Sequence, residues 1–489
     1  MQEKAKNPNR HNLFLKNHFI GLYRIAFLLV AFCVLSLHIS AQSSSDATLM
    51  RTRELDRQSR DANGKLAQLA PIEHLRRASV YMSNRAFAEA RAHYQIILDQ
   101  YPTDEAVGPA LFFMGRSYFQ EKNYEQAIPY YARVSRDFKN TLDGREGLSA
   151  LGTTLLRLER FDEAVEVYRS YVNLHPNGEK IEAVYLNIID TLREGGKNKE
   201  AIEWIAITRA KFPNTATATN AVFARLRLDI SQKDWQQAVR TAEELRSMPF
   251  PKGTMTDRGE VAYLRAFALE KAGRKEEAIT AYLAIPDSIG TYHGWLATER
   301  LLKLIDSSRR SIVMGRLDRV KEDAARAAGQ YPAPYRDALL RATTKRKVDP
   351  RLILALMRQE SSFRVGAKSP AAARGLLQLT IDTASKYSAS AGYKTLKSDD
   401  LYQPETSITI GSEYIASLQK LFPNLPEAIA ASYNGGEENA ARWLKRSKHN
   451  DPAIFAAEVG FDETKDYVFK VMTNYRAYQL LYDANLQRQ

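Results

Sequence analysis

Thiol chemistry is all but missing from this sequence: among 489 residues the only cysteine is Cys33, set between Phe32 and Val34 inside an apolar run. If that residue leaves with a leader, the remaining chain has no disulfide, no thiolate-bound metal and no cysteine nucleophile, and its fold rests on packing alone. Histidine is sparse too. Its 8 copies are scattered, and none forms an i,i+4 pair with a nearby acidic ligand, so no metal site and no cofactor is expected. Long hydrophobic runs are equally scarce. The one from Ile25 to Leu37 falls short of the roughly 20 residues a spanning helix needs.

That run follows Lys4, Lys6, Arg10, Lys16 and Arg24 and leads to Ser40-Ala41, the order of a secretory leader. Residues 1–41 are therefore expected to be a signal peptide. Ile39 is bulky for its place before the cut, which keeps a signal anchor as the alternative and the only route to a membrane. Either way the rest is exported, with the periplasm as the expected compartment. A mean hydropathy of -0.41 fits a chain that works in water. Its net charge of +13 and pI of about 9.4 imply attraction to an anionic polymer. No helix-turn-helix, Walker loop or aromatic-studded basic platform accompanies the charge, so nucleic acid is not the expected partner.

What the sequence does contain is a period. Ala90, Ala127, Ala164, Ala201 and Ala238 follow one another at intervals of 37 residues, and Ala278 comes 40 later. Three residues before them stand Phe87, Tyr124, Phe161, Asn198, Trp235 and Lys275; four after come Tyr94, Tyr131, Tyr168, Ile205, Ala242 and Tyr282. This spacing marks one face of a helix. Pro102, Pro176 and Pro213 stop the helix twelve residues past the alanine, and Tyr81, Tyr118, Leu155, Leu192 and Leu269 belong to the helix before it. Each unit is thus a helical hairpin, and stacked hairpins make an α-solenoid. The pattern resembles tetratricopeptide repeats, with a period longer than that family's usual one and aromatic positions that decay in later units. Its aromatic stripe is read as core.

Residues 42–69 read as a linker, 70–290 as the solenoid, 291–331 as a helical linker domain and 332–489 as a separate domain, opened by Tyr331-Pro-Ala-Pro-Tyr335. Asp349-Pro350 is a good helix start. In the run that follows, Ile353, Leu356, Met357 and Glu360 share one face, so the Glu360 carboxyl sits among aliphatic groups. Its pKa should be raised, as a general acid near neutral pH requires. The next acidic residue, Asp382, precedes Thr383-Ala384-Ser385 and reads as a helix N-cap rather than a second catalytic carboxyl.

Four blocks then occur in order: Gln359-Glu-Ser-Ser-Phe363, Ser369-Pro-Ala-Ala-Ala-Arg-Gly-Leu-Leu-Gln-Leu379, Ala431-Ser-Tyr-Asn-Gly-Gly436 and Phe461-Asp-Glu-Thr-Lys-Asp-Tyr-Val468. Together they resemble the soluble lytic transglycosylase family, closely over residues 332–482 and loosely upstream. The resemblance implies a mainly α fold, a solenoid followed by a goose-type lysozyme-like catalytic domain with a small β component. It implies Glu360 as catalytic acid and base, and Ser361, Gln378, Tyr433, Asn434, Glu463 and Tyr467 as substrate-binding residues, with Tyr433 orienting Glu360. Leu377, Ile381, Gly435 and Glu437 depart from the family pattern and bear on loop shape. The implied reaction cuts the β-1,4 bond between MurNAc and GlcNAc in peptidoglycan and leaves 1,6-anhydro-MurNAc ends. A hydrolytic muramidase on the same fold and a non-catalytic peptidoglycan-binding scaffold are the rival readings. The solenoid is expected to extend the glycan cleft or to bind protein partners.

Overall fold

The alanines of the repeat are small residues suited to close approach of paired helices. In this computed structural model, which describes residues 47–489, each of the six is fully buried. A helix over 47–59 (α1) precedes six hairpins: α2 (Pro71–Ser83) with α3 (Phe87–Gln100), α4 (Val107–Gln120) with α5 (Tyr124–Asp137), α6 (Leu142–Arg157) with α7 (Phe161–Leu174), α8 (Ile181–Glu194) with α9 (Asn198–Lys211), α10 (Ala216–Ser231) with α11 (Trp235–Ser247), and α12 (Arg258–Lys271) with α13 (Lys275–Leu283). Every second helix begins at the residue three before its alanine, as the spacing predicts. The tyrosines four after it turn inward: a Cβ on Gly152 would lie 2.5 Å from the Tyr168 ring, so the first helix must be small where the second is large. The leader expected over 1–41, Cys33 included, lies outside the described residues. Among the described residues no helix is long and apolar enough to cross a membrane.

The turn inside each hairpin repeats as strictly as the alanine. Five residues before it, Arg85, Lys122, Glu159, Gly196, Lys233 and Gly273 all adopt a left-handed backbone. Only two of the six are glycine, so four turns bear the steric cost of a side chain in that region. These turns form a row along one edge of the solenoid.

Two linker helices follow, α14 (Tyr292–Leu304) and α15 (Arg310–Ala327). The last part comprises α16 (Arg336–Thr344), α17 (Pro350–Ser361), α18 (Ile381–Ser388), α19 (Pro404–Leu421), α20 (Pro426–Gly435), α21 (Glu437–Ser447), α22 (Pro452–Glu458) and α23 (Asp462–Leu481). The small β component expected here is reduced to isolated bridges, Lys368 with Arg374, Arg374 with Leu379 and Tyr482 with Arg488; the chain reverses through Gly375 before longer pairing can form. The first hairpins keep small cores of their own. From Val222 in α10 onward, one hydrophobic cluster runs through the linker helices to Leu486, so the last hairpins and the carboxyl-terminal helices share a core.

The solenoid curves around α18 to α22, and its row of turns meets them. Arg85 pairs with Asp382 at 2.6 Å, Lys122 with Glu438 at 3.0 Å and Glu159 with Lys445 at 3.1 Å, three successive turns one period apart. Asp382 is thus not the cap of α18; Thr380 accepts from the Thr383 N–H, and the carboxylate two residues on is free to face the solenoid. Such exposed pairs add little stability. Deeper in, Glu458 of α22 is buried among Arg193 of α8 at 2.5 Å, Arg227 of α10 at 3.3 Å and Arg446 of α21 at 2.7 Å, which hold its carboxyl down at about 2 despite burial. Glu194 pairs with Arg442 at 2.8 Å and Arg446 at 2.9 Å, yet burial pushes it up to about 7.

Removing one member of a buried charge cluster strands the rest. Glu458→Leu leaves three guanidiniums without their shared carboxylate and should cost about 3–5 kcal/mol. Denaturant unfolding of the purified variant measures this, and a loss below about 1 kcal/mol would show that the arginines find other partners.

Candidate active site

The site is built at the end of α17. Asp349 caps that helix by accepting from the Arg351 N–H at 2.9 Å, with Pro350 at the first position. Ile353, Leu354, Leu356 and Met357 are completely buried, so the helix cannot rotate, and Glu360 is delivered in its last turn. The helix stops there because Ser362 and Phe363 both enter the left-handed region. Glu360 is half-buried. Desolvation pushes its carboxyl up to about 7, against the opposing effect of a hydrogen bond from Tyr467. No second carboxylate among the described residues bonds to it.

Tyr467, nominated as a substrate contact, is the residue that holds Glu360. Its hydroxyl donates to Glu360 Oε1 at 2.5 Å, and burial with the adjacent carboxyl pushes its own ionisation well above the usual phenol range. Tyr433, expected in that orienting role, instead donates to the Leu377 carbonyl at 2.7 Å. Position on α20 explains the difference: the Tyr433 hydroxyl reaches the loop that carries Gln378 before it reaches the acid. Its ring lies tilted 5.3 Å from that of Tyr414, which lies 5.0 Å from Tyr387, giving an aromatic row.

Ser361 lies beneath the cleft rather than in it. It is 1% exposed, and its Oγ donates to the Leu376 carbonyl at 2.8 Å, pinning the loop after Gly375 to the end of α17. Gly375 has φ +76, and a Cβ there would lie 1.9 Å from the Leu401 carbonyl, so no other residue fits. Gln378 closes the same loop, donating through Nε2 to the carbonyls of Ala367 and Gly375, both at 2.9 Å. Asn434 is exposed beside Tyr433 and accepts from Thr464 Oγ1 at 2.5 Å. Glu463 is exposed in the first turn of α23. The departure at Gly435 has a packing reason: a methyl there would press 3.1 Å from both Thr464 and Trp443.

A cavity of about 730 Å³ adjoins this site, lined by Tyr387, Tyr414, Tyr433 and Asn434 on one side and by Arg85 and Lys122 of the solenoid on the other. Glu360 is outside its lining and borders it through Tyr433, whose phenol is pushed well up by burial and by the Glu360 charge. The solenoid therefore contributes a wall next to the site. Sequence reasoning expected the solenoid to extend the cleft or to bind partners but named no residue of that wall, and it missed Thr464 and Lys465, because no local spacing links Thr464 to Asn434, 30 residues earlier, or Lys465 to Glu260, 205 residues earlier. It also missed Glu427, a second buried carboxyl pushed up to about 7. Glu427 accepts from the Tyr292 hydroxyl at 3.0 Å and has only 2% exposure, which leaves it no access to a substrate.

Comparison with known proteins places these residues in a family context. The family described as Transglycosylase SLT domain matches residues 337–455, which include Glu360, Ser361, Gln378, Tyr433 and Asn434, while a Tetratricopeptide repeat family matches residues 114–179. The soluble lytic murein transglycosylase of Escherichia coli (strain K12) is 33% identical over 153 residues, 30% of this chain and 23% of that protein. Its counterpart from Salmonella typhimurium is 27% identical over 300 residues, 59% of this chain and 42% of that protein. The chain thus matches less than half the length of these relatives. Among solved structures, the 70 kDa soluble lytic transglycosylase of Escherichia coli aligns over 91% of this chain and 81% of its own at 18% identity, with a TM-score of 0.49. Residues 337–455 are accordingly similar to the Transglycosylase SLT domain family, the repeats before them are similar to tetratricopeptide repeats, and the chain is homologous to the soluble lytic murein transglycosylases over the part it shares with them.

Proposed function

We propose that this chain is a peptidoglycan lytic transglycosylase that cuts the β-1,4 bond between MurNAc and GlcNAc and leaves 1,6-anhydro-MurNAc ends. The observation that carries this reading is a single desolvated carboxyl, Glu360, poised at about 7 and partnered by a hydroxyl rather than by another carboxylate. Ordinary glycosidases flank the bond with two. With one, the substrate must supply the rest: Glu360 donates its proton to the glycosidic oxygen, the MurNAc N-acetyl group stabilises C1, and the resulting carboxylate takes the proton of the C6 hydroxyl as that oxygen closes on C1. No water is consumed. Tyr467 steadies the carboxylate formed between the two steps and so favours release of the proton to the glycosidic oxygen.

The same proposal assigns the glycan strand to the face bearing Gln378, Tyr433, Asn434 and Glu463, with Ser361 supporting it from below. It divides the chain into a solenoid over 70–290, a helical linker over 291–331 and a catalytic domain over 332–489. Export to the periplasm belongs to it too, with residues 1–41 as signal peptide or signal anchor. Aromatic faces such as Tyr387 and Tyr414 suit sugar rings, and a basic chain suits an anionic wall polymer.

The reaction class is tested by mass spectrometry of digested sacculi. Anhydro ends, one water lighter than hydrolytic products, are expected; full-mass reducing ends would replace the transglycosylase with a muramidase. Glu360→Gln keeps side-chain volume and should preserve folding and sacculus binding while lowering turnover by about 10⁴-fold or more, since one residue serves as acid and as base. Because the acid must start protonated, kcat/KM should fall as pH rises through about 7; a profile flat to pH 9 would point to another proton donor. Asp382→Asn should retain most turnover, because that side chain pairs with Arg85 and not with the reacting bond. Inactivation equal to that of Glu360→Gln would restore a two-carboxylate mechanism.

A further inference from the structure

Lys465 is a lysine almost without water. It is 2% exposed, two residues before Tyr467, and it points out of α23 into the solenoid. There its ammonium straddles the Glu260 carboxylate of α12, 2.9 Å from each oxygen, donates to the Met255 carbonyl at 2.9 Å and lies 4.4 Å from the centre of the Phe223 ring of α10. Glu260 is fully buried. On the other side of the same helical turn, Thr464 donates to Asn434 and Tyr467 donates to Glu360. One turn of helix thus carries a bolt into the solenoid and two of the hydrogen bonds that organise the site.

We infer that Glu260, a residue of the solenoid, is a positioning residue for the reaction: by anchoring Lys465 it sets the rotation of the first turn of α23, and so the placement of Tyr467 on Glu360 and of Thr464 on Asn434. The inference rests on the reading of Glu360 as the proton donor. Its physical basis is that a lysine stripped of water cannot take another partner at comparable cost, so the pair tolerates little displacement. A helix free to turn by a fraction of its pitch moves the phenol off the carboxyl, and misplacement near 1 Å costs about 10²-fold in rate. The solenoid is therefore part of the catalytic apparatus as well as a wall beside it.

The groups that bear on the pair are Asp257 before α12, Arg227 of α10 and the buried neutral His293 of α14; those facing Glu360 are Tyr467, Tyr433 and, behind it, Tyr414. Four variants of the full chain separate positioning from mere support. Glu260→Gln/Lys465→Met removes both charges and avoids a stranded ion. Tyr467→Phe shows what losing the hydrogen bond alone does. Asp287→Asn/Arg476→Met removes another buried bridge, 2.7 Å long, from the far half of the same helix. Glu360→Gln reports on the acid itself.

With a soluble peptidoglycan oligosaccharide, the Glu260/Lys465 variant should lose about 10- to 100-fold in kcat with KM within about twofold. Its high-pH limb should move upward, as in Tyr467→Phe, because the bond that lowers the Glu360 pKa is weakened. The Asp287/Arg476 variant should lose stability and keep the parental limb. A folded Glu260/Lys465 variant with parental kcat and limb overturns the inference, and so does an equal shift in the Asp287/Arg476 variant. If the Glu260/Lys465 variant does not fold, the single change Lys465→Arg, which keeps the charge but alters its reach, must show the same limb shift or the inference fails. Turnover persisting in Glu360→Gln would overturn the assignment of the acid instead, whatever the limbs do.

Discussion

Each hairpin of the solenoid closes on a fully buried alanine, and the arrangement of the whole chain depends on that contact. Close approach fixes the angle between paired helices, and a repeated angle fixes the rise from one hairpin to the next. A constant rise places the turns in a row. Because Arg85, Lys122 and Glu159 occupy the same place in successive repeats, a one-dimensional period becomes a two-dimensional docking edge, matched by Asp382, Glu438 and Lys445 across from it. The exposed pairs add alignment more than stability. Firmness comes from the buried charges behind them and from the core shared by α10 to α23.

Burial does opposite things to the carboxyls in this interface, and the difference is their company. Glu458, with three guanidiniums, stays ionised; Glu360, with one phenol, is pushed towards the proton. Glu194 and Glu427 share the raised pKa but are locked by partners away from any substrate. Chemistry is therefore selected by access and partner type rather than by desolvation alone.

The loop from Lys368 to Leu379 illustrates how little of an active site touches its substrate. Ser361, Gly375 and Gln378 spend their hydrogen bonds and their conformational freedom on holding one tight reversal against α17, while Tyr433 secures the same loop from α20. The sequence blocks contain such residues beside reacting ones, so motif membership alone cannot separate the two roles.

The sequence by itself determined the helical hairpins, their period, the Asp349 start of α17 and the apolar setting of Glu360, because each depends on residues within a few turns of one another. Local steric and burial patterns are enough for that. Only the tertiary structure decided which phenol meets Glu360, that Asp382 faces Arg85 instead of capping its helix, and that Lys465 reaches back to Glu260. Those outcomes depend on how far a side chain can reach from a helix whose rotation is set by distant packing. Over separations such as the 297 residues between Arg85 and Asp382, no spacing in the chain encodes that reach.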